Sequence, residues 1–344
     1  MTRMDHGLAF MLQYENVAWY QDDVVRILDR RIYPKEISYV ICEDYEAVAK
    51  AIGDMVTQSG GPRMAAQQAM VMTAYQVQEK SAAEAAEVLK QAAYTVTHAR
   101  PTTSERMEAI VKKILNFALE LLDTDQKLGP AVQDFVFKLV ESQYEKSRII
   151  GQNVVDLLPD EPTIITQCFA ETTIGFTLLA CKERGKKVSL ICPETRPYLQ
   201  GARLTASVAY DMDIPVTVIT DNMPGYVLSQ GIPDAFICAA DVITLDGYVV
   251  NKIGTYQIAL AAFDNHIPFY VLGNPVVDNP TIDTVTIEQR NPEEVLHAMG
   301  SRTTKEGVKG FYPAFDITPP KLVNAVITEK GVFSPFDLKQ HFPR

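Results

Sequence analysis

Short apolar runs alternate with helix-like segments along the second half of the chain, and this alternation is the feature that most constrains the fold. The runs are rich in β-branched residues and are bounded by turn residues, which is typical of buried parallel strands. Each connecting segment has the composition and length of a crossover helix. Strands are predicted at 163–166, 188–192, 216–219, 235–239 and 269–272, and helices at 174–184, 204–210, 225–230 and 254–265. The second half is therefore predicted to be a doubly wound, mainly parallel, Rossmann-like α/β domain.

The first half has a different rhythm, because apolar residues recur at spacings of three and four over long Ala-, Leu- and Glu-rich segments. Helices are predicted at 46–55, 64–94, 104–122 and 130–151, after two short strands at 24–28 and 37–41. The predicted organisation is a helical N-terminal domain with a small sheet over 1–150, followed by the α/β domain over 151–344. The polar, proline-containing segment 157–162 is the predicted boundary region.

Composition narrows the classes of function. The 344 residues carry a formal net charge of −11, which argues against a nucleic-acid partner because such binding needs clustered Lys and Arg. No apolar stretch is long enough to span a membrane, so we expect a soluble, cytoplasmic protein with no membrane partner. The five cysteines form no CxxC pair and the five histidines show no ligand spacing, so no disulfide framework and no metal are predicted. No glycine-rich dinucleotide fingerprint follows the first strand, so a nucleotide-dependent dehydrogenase is not favoured and no cofactor is predicted.

Polar residues follow the predicted strands, at the edge where doubly wound sheets bind ligands. Cys168 follows the first strand at the start of a predicted helix, where backbone amides and the helix dipole would lower the thiol pKa. Asp221 and Asp241 follow the third and fourth strands and could face one crevice. An isolated buried cysteine is usually a small hydrophobe, and an isolated Asp after a strand usually caps a helix. The prediction of a catalytic site therefore depends on these groups occurring together.

Two further segments have groups suited to an anion. Arg196 and Arg203 flank Gln200 where a helix is predicted to begin, and guanidinium groups beside helix amides are typical of phosphate sites. The segment 251–255 combines an amide, an ammonium group, a glycine and a hydroxyl at another predicted helix start. Such a combination suits a phosphate and sugar hydroxyls.

Several of these segments together resemble the 5-methylthioribose-1-phosphate isomerases, over nearly the whole chain. The matching segments are PETRPYLQGARLTA (193–206), ITDNM (219–223), Ala240-Asp241, NKIGT (251–255), ILDRRIYP (27–34) and PAFDITP (313–319). That family shares a superfamily with ribose-1,5-bisphosphate isomerases and the regulatory subunits of translation initiation factor 2B. The resemblance implies an aldose-ketose isomerase that works as a homodimer, without a cofactor.

The resemblance also implies a set of site residues. Cys168 and Asp241 would be the catalytic pair, and the phosphosugar would contact Arg100, Gln200, Asn251 and Lys252. A phosphate on C1 prevents simple anomeric opening, so the ring must be opened with the help of an acid. A proton or a hydride must then pass between C2 and C1. We expect Asp241 to assist ring opening and to handle the alcohol proton, and Cys168 to act at carbon.

Two segments depart from the family pattern. The phosphate loop RGAPAIG is replaced by SGGPRMA at 59–65, so Gly60, Gly61 and Pro62 could keep a backbone cradle while the leading Arg is absent. Either Arg63 supplies that charge from a displaced position, or Arg100, Lys252 and amides hold the phosphate. The stretch CNAGSLAT is replaced by CFAETT at 168–173, which changes the pocket beside the thiol.

These departures bear on the substrate and leave the reaction class unchanged. 5-Methylthioribose 1-phosphate, from methionine salvage, and 5-deoxyribose 1-phosphate, from 5-deoxyribose disposal, are equally compatible with the sequence. The alternative to an enzyme is a non-catalytic regulatory subunit of the initiation factor 2B type, which binds sugar phosphate or protein partners. The presence of both Cys168 and Asp241 favours the enzyme.

Overall fold

The computed structural model describes residues 3–99, 104–298 and 300–342, and the side chains of 104–106 are not included in this description. The chain forms two compact units, which we treat separately. The first unit comprises 1–6 and 10–145, and the second comprises 7–9 and 146–344.

The first unit combines a three-stranded antiparallel sheet with five helices. The strands are β1 (Ala18–Gln21), β2 (Val24–Leu28) and β3 (Tyr39–Cys42), in that order across the sheet. Asp22 and Asp23, which join β1 to β2, both have positive φ, as the tightest hairpin turns require. The helices are α1 (Tyr45–Gly53), α2 (Gly61–Val77), α3 (Ala82–Thr97), α4 (Ser104–Leu121) and α5 (Leu128–Val155).

One predicted helix of this unit differs from the structure, and the predicted domain boundary stays a prediction. The single helix predicted over 64–94 is two helices, because Ser81 and Glu84 form a reciprocal capping box that starts α3 afresh. The predicted domain boundary between 150 and 151 lies inside α5, which continues from the first unit into residues of the second.

The second unit is built on a seven-stranded sheet. Its strands are β4 (Thr163–Ile165), β5 (Ser189–Pro193), β6 (Val216–Ile219), β7 (Ala235–Ala239), β10 (Phe269–Leu272), β14 (Ala325–Thr328) and β15 (Gly331–Phe333). Their order across the sheet is β15-β14-β10-β7-β4-β5-β6, and only β15 runs antiparallel to its neighbour. The second unit also contains the helices α6 (Thr172–Glu183), α7 (Ala206–Asp211), α8 (Pro224–Ser229), α9 (Thr255–Asp264) and α10 (Leu338–His341). The predicted mainly parallel α/β fold is confirmed.

The centre of the large sheet is apolar on both faces, as expected for parallel strands covered by helices. Phe236 on β7 and Phe269 on β10 are fully buried, and their rings stack with centroids 4.2 Å apart. This central position explains why β4, β5, β7 and β10 read as continuous apolar runs, whereas β6, also predicted as a buried strand, is the exposed edge strand of the sheet.

A second sheet in this unit was not predicted as strands. It has the order β13-β9-β8, with β8 (Val242–Ile243), β9 (Val249–Lys252) and β13 (Phe315–Thr318), and every pairing in it is antiparallel. A two-residue pair, β11 (His297–Ala298) and β12 (Ser301–Arg302), follows along the chain. In the part of the chain that the structure describes, no helix is both long and apolar enough to cross a membrane.

Candidate active site

The site lies where the strand order of the large sheet reverses. Strands β4 and β7 are parallel neighbours, and the chain proceeds from β4 to β5 and β6 on one side and from β7 to β10 on the other. Such a switch point leaves a crevice beyond the carboxyl ends of the two strands. Cys168 follows β4 and Asp241 follows β7. The charge of Asp241 contributes to raising the pKa of the Cys168 thiol, so the two groups are close enough to interact.

The Cys168 thiol is held in a constrained loop. Its residue has φ +61°, a left-handed conformation that non-glycine residues seldom adopt. The backbone amide of Cys168 donates to the Thr195 hydroxyl (3.2 Å), and its carbonyl accepts from the Thr205 hydroxyl. These bonds fix the loop from two sides.

The prediction that the thiol pKa is lowered is wrong. Burial raises the pKa of Cys168 to about 11, and the charge of Asp241 acts in the same direction. Lys252, the Phe169 amide and Arg290 oppose this effect without overcoming it. The Phe169 amide does lower the thiol pKa, as expected. The removal of the thiolate from water raises this pKa by more than the amide and the nearby cations lower it.

A carboxylate shapes the loop that follows β5. Asp221 accepts from the backbone amides of Thr195 (2.8 Å) and Arg196 (2.7 Å). Asp221 was predicted to face the crevice together with Asp241, but its oxygens hold this loop. Thr195 then reaches the amide of Cys168, so the carboxylate acts on the thiol loop through one intervening residue.

Gln200 is buried at the start of the turn Gly201–Thr205 that leads into α7. Its Oε1 atom accepts no hydrogen bond from the described residues, which leaves an acceptor for a ligand hydroxyl. Gly201 is required beside it, because a Cβ there would lie 1.8 Å from the carbonyl oxygen of Pro193. Arg203 donates from Nε and Nη2 to the carbonyl of Tyr198, so this guanidinium stabilises the loop.

Asn251 and Lys252 end strand β9 and are both buried. The Asn251 amide donates to the Cys238 sulfur (3.4 Å) and to the Thr255 hydroxyl (3.0 Å). The Lys252 ammonium lies 4.5 Å from the centre of the Phe315 ring. Lys252 also lowers the pKa of Cys168 against the larger effect of burial, so its charge reaches the thiol.

The turn after Lys252 is held by residues that the sequence analysis did not select. Gly254 has φ +104°, and a Cβ there would lie 2.7 Å from Nε2 of Gln167. Asp316 on β13 accepts from the amides of Gly254 (2.7 Å) and Tyr256 (3.1 Å), and Gln167 donates to the carbonyl of Ile253 (2.9 Å). Asp316 stood in a motif used only for the resemblance. Its antiparallel pairing with Asn251 could not be read without the strand register.

The predicted phosphate loop belongs to the first unit. Gly60 precedes α2, and Gly61 and Pro62 open it. A Cβ on Gly61 would lie 1.8 Å from the Thr57 hydroxyl oxygen, so the tight entry to the helix requires glycine. The buried Gln58 and Gln67 amides have no hydrogen-bond partner among the described residues. Arg63 lies in the first turn of α2, as the displaced-charge hypothesis requires.

The structure leaves two sequence predictions untested, namely the contact made by Arg100 and the absence of a metal. Arg100 lies outside the described residues. Over residues 3–99, 104–298 and 300–342, no three His, Cys, Asp or Glu side chains are grouped to hold a metal ion.

Comparison with known proteins shows a consistent family. A family model described as the initiation factor 2 subunit family matches residues 57–335. Methylthioribose-1-phosphate isomerase of Thermotoga neapolitana is 38% identical over 337 residues, covering 94% of this chain and 96% of that protein. The solved 5-methylthioribose 1-phosphate isomerase from Pyrococcus horikoshii OT3 is 28% identical, with a TM-score of 0.83 and 94% of each chain covered. The delta subunit of translation initiation factor eIF-2B from A. fulgidus is 30% identical, with a TM-score of 0.82, covering 93% of this chain and 96% of that chain.

Proposed function

The chain belongs to the initiation factor 2 subunit family as an aldose 1-phosphate isomerase, and we propose that it converts 5-methylthioribose 1-phosphate into the corresponding ribulose 1-phosphate. The observation that carries this proposal is the pairing of Cys168 and Asp241 across the switch point of the sheet, beside the buried Lys252. A thiol, a carboxylate and an ammonium group at one crevice supply the acid, the base and the anion site that the reaction needs.

Asp241 is proposed to begin the reaction at the ring oxygen. Its acid form donates a proton there as the bond between C1 and the ring oxygen breaks, which leaves C1 electron-poor. The resulting carboxylate later accepts the proton of the C2 hydroxyl, as that oxygen becomes the ketone. The carboxyl group is thereby restored at the end of each cycle. Asp241 is exposed at the end of β7, which lets a sugar approach it.

Cys168 is proposed to act at carbon. In a proton-transfer route, its thiolate removes the C2 proton and returns it to C1. In a hydride route, the C2 hydrogen moves with its electron pair directly to C1, and the thiol shields this step from water. The raised pKa of the thiol, at about 11, makes its protonated form the resting form at neutral pH, and both routes stay open.

The phosphosugar contacts are proposed as follows. Lys252 supplies the charge for the C1 phosphate, and Asn251 and Gln200 bind sugar hydroxyls; all three side chains are buried in the second unit. Gly60, Gly61, Pro62 and Arg63 at the N-terminus of α2, and Arg100, stay predicted phosphosugar contacts on the strength of the family resemblance. Amides at a helix N-terminus are a common phosphate site.

5-Deoxyribose 1-phosphate is proposed as a second substrate. The residue after the catalytic thiol is Phe169, which is buried, whereas the resembling isomerases have an amide there. An apolar lining suits both sugars, since neither has a 5-hydroxyl. A thiomethyl group in such a pocket contributes only about 1–3 kcal/mol of discrimination, so we expect both substrates to be turned over.

The alternative to an enzyme is a regulatory subunit that binds partners without catalysis. This role is consistent with the fold shared with the initiation-factor subunit.

We also propose a homodimer formed through the second unit. A cytoplasmic location stays a prediction of the sequence.

The deciding experiment is turnover of 5-methylthioribose, 5-deoxyribose and ribose 1-phosphates by purified protein without added metal or nucleotide. We expect the Cys168→Ala and Asp241→Asn variants to lose about 100-fold or more in kcat. Cys181→Ala is the matched control, because this thiol is buried in α6 and should not affect kcat. Absence of turnover with all three sugars would favour the regulatory alternative.

A further inference from the structure

Two residues outside the proposed catalytic pair hold the side-chain amide of Asn251. Its Nδ2 atom donates to the Cys238 sulfur (3.4 Å) and to the Thr255 hydroxyl (3.0 Å). A primary amide has two N–H donors, so both are used within the protein. All three side chains are buried, in a setting where an unpaired amide hydrogen would be costly.

The hydroxyl of Thr255 fixes which way this amide faces. Its single hydrogen is donated to the backbone carbonyl of Lys252 (2.7 Å), so towards Asn251 the hydroxyl oxygen can only accept. The opposite orientation of the amide would place Oδ1 of Asn251 against that oxygen, with no hydrogen between two acceptors. The orientation with Nδ2 towards Thr255 and Cys238 therefore follows from the hydrogen-bond network.

The amide oxygen of Asn251 is left for a ligand. Oδ1 accepts no hydrogen bond from the described residues, and it is not sealed from solvent as Oε1 of Gln167 is. Cys238 is the fourth residue of β7, the strand that Asp241 follows, and the Asp241 amide donates to the carbonyl of Val250, the residue before Asn251 (2.9 Å). The Asn251 amide therefore lies at the end of β7 that Asp241 follows.

We propose that Thr255 and Cys238 are positioning residues of the isomerase. By taking both donors of Asn251, they commit its Oδ1 atom to accept a hydrogen bond from a hydroxyl of the sugar. This inference deepens the proposed function and rests on it for the identity of the sugar. It also makes the position selective, since a group that can only accept, such as an ionised phosphate oxygen or an ether oxygen, finds no donor there.

The test is a double-mutant cycle on kcat/KM for 5-methylthioribose 1-phosphate. Thr255→Val removes the acceptor and leaves one amide hydrogen of Asn251 unpaired, so the amide can turn its NH2 group towards the sugar. We expect kcat/KM to fall about tenfold, chiefly through KM, and Thr255→Ser, which keeps the hydroxyl, to stay close to the wild type. In the Asn251→Ala background, Thr255→Val should have little further effect, because the group that it positions is gone.

Thr177→Val is the matched control. The Thr177 hydroxyl is also buried and donates to a backbone carbonyl, that of Thr173 (2.8 Å), but it holds no side-chain amide of the described residues. Its loss should leave kcat/KM unchanged. Cys238→Ala tests the second contact of Asn251, and we expect a smaller loss than in Thr255→Val because sulfur is the weaker acceptor.

A loss from Thr255→Val that is equally large in the Asn251→Ala background would overturn the inference, since the threonine would then act through Lys252 or through folding. If Thr255→Val does not fold, the same cycle with Cys238→Ala decides in the same way.

The orientation of the amide is also measured without a sugar, from the exchange of the Asn251 side-chain amide protons with water. These protons are identified in the NMR spectrum by their absence in Asn251→Ala. We expect exchange about tenfold faster in Thr255→Val than in the wild type, because one protecting hydrogen bond is lost. Equal exchange rates would overturn the inference. A protein that shows this protection but turns over no sugar would contradict the proposed function alone.

Discussion

Four non-glycine residues in the loops around Cys168 have positive φ, namely Cys168, Glu171, Thr195 and Leu199. Each such residue costs on the order of 1–3 kcal/mol and persists only where its surroundings enforce it. The enforcing contacts are those of Asp221 with the Thr195 loop and of Thr195 with the Cys168 amide. At the scale of single residues, the site is therefore a strained arrangement supported by side chains outside the chemistry.

Gly201 provides the test of that arrangement. An added Cβ would meet the Pro193 carbonyl oxygen at 1.8 Å, and this backbone atom cannot move without displacing the Thr195 loop. We expect Gly201→Ala to lower the free energy of unfolding by about 1–3 kcal/mol and to reduce kcat. Urea unfolding and steady-state kinetics measure the two effects.

Gly225 in α8 is the matched control, because a Cβ there would meet no atom within 4 Å. Gly225→Ala should leave kcat unchanged and keep or increase stability, since it removes freedom from the unfolded chain. Similar losses in both variants would mean that crowding at Pro193 is not what makes Gly201 necessary.

At the scale of elements, the start of helix α9 depends on a carboxylate from strand β13. Asp316 on β13 accepts from two amides at the start of this helix, and the same turn carries Asn251 and Lys252. Burial raises the pKa of Asp316 from 3.8 to about 6, against the opposing effects of the two amides and Lys252. The native state thus resists ionisation of the group that anchors the helix.

The sign of the resulting pH dependence follows from linkage. Between about pH 4 and pH 6 the native state binds more protons at Asp316 than the unfolded state does, so this contribution to stability falls as pH rises. We expect the free energy of unfolding of the wild type, relative to Asp316→Asn, to decrease by about 1–3 kcal/mol from pH 4 to pH 7. Urea unfolding of both proteins across this range measures it, and a constant difference would contradict the assignment.

Sequence patterns correctly predicted the strands that are buried on both faces. The central strands β4, β5, β7 and β10 are buried on both faces, so their composition alone predicts them. Strand β13 has the burial pattern of a mixed surface and pairs with β9 across a long stretch of sequence, so no local pattern predicts it. Asp316 was not selected for the same reason.

The sequence predicted the positions of Cys168 and Asp241 relative to the strands, but it did not predict the pKa of the thiol. Cys168 and Asp241 follow strands in the sequence prediction as in the fold, whereas Asn251 and Lys252 were predicted at a helix start and lie at the end of β9. The thiol pKa was mispredicted because a helix start is visible in sequence, whereas the burial that outweighs it arises from distant segments.

At the scale of the whole molecule, the second unit exposes an apolar helix face. Tyr256, Leu260 and Phe263 recur at helical spacing on α9, and Tyr226 on the adjoining α8 is also exposed. Apolar side chains grouped in this way are typical of surfaces that bind another protein. This face is our candidate for the contact between two copies of the chain.

Sedimentation velocity measures the proposed dimer. We expect the wild type to sediment as a dimer and the double variant Leu260→Asp with Phe263→Asp to sediment mainly as a monomer, since two buried carboxylates on each side would be costly. Phe311→Asp is the control, because this exposed residue lies outside the helical face. A wild-type monomer at micromolar concentration would contradict the proposal.

The raised pKa of Cys168 also bears on how the protein would respond to oxidative stress. Damage to a cysteine by peroxide begins with the thiolate, which is converted to sulfenic acid and then further. A thiol that retains its proton until about pH 11 offers little thiolate in the cell. Unlike enzymes that keep an ionised cysteine ready for attack, this one holds its reactive sulfur in a form that hydrogen peroxide consumes slowly.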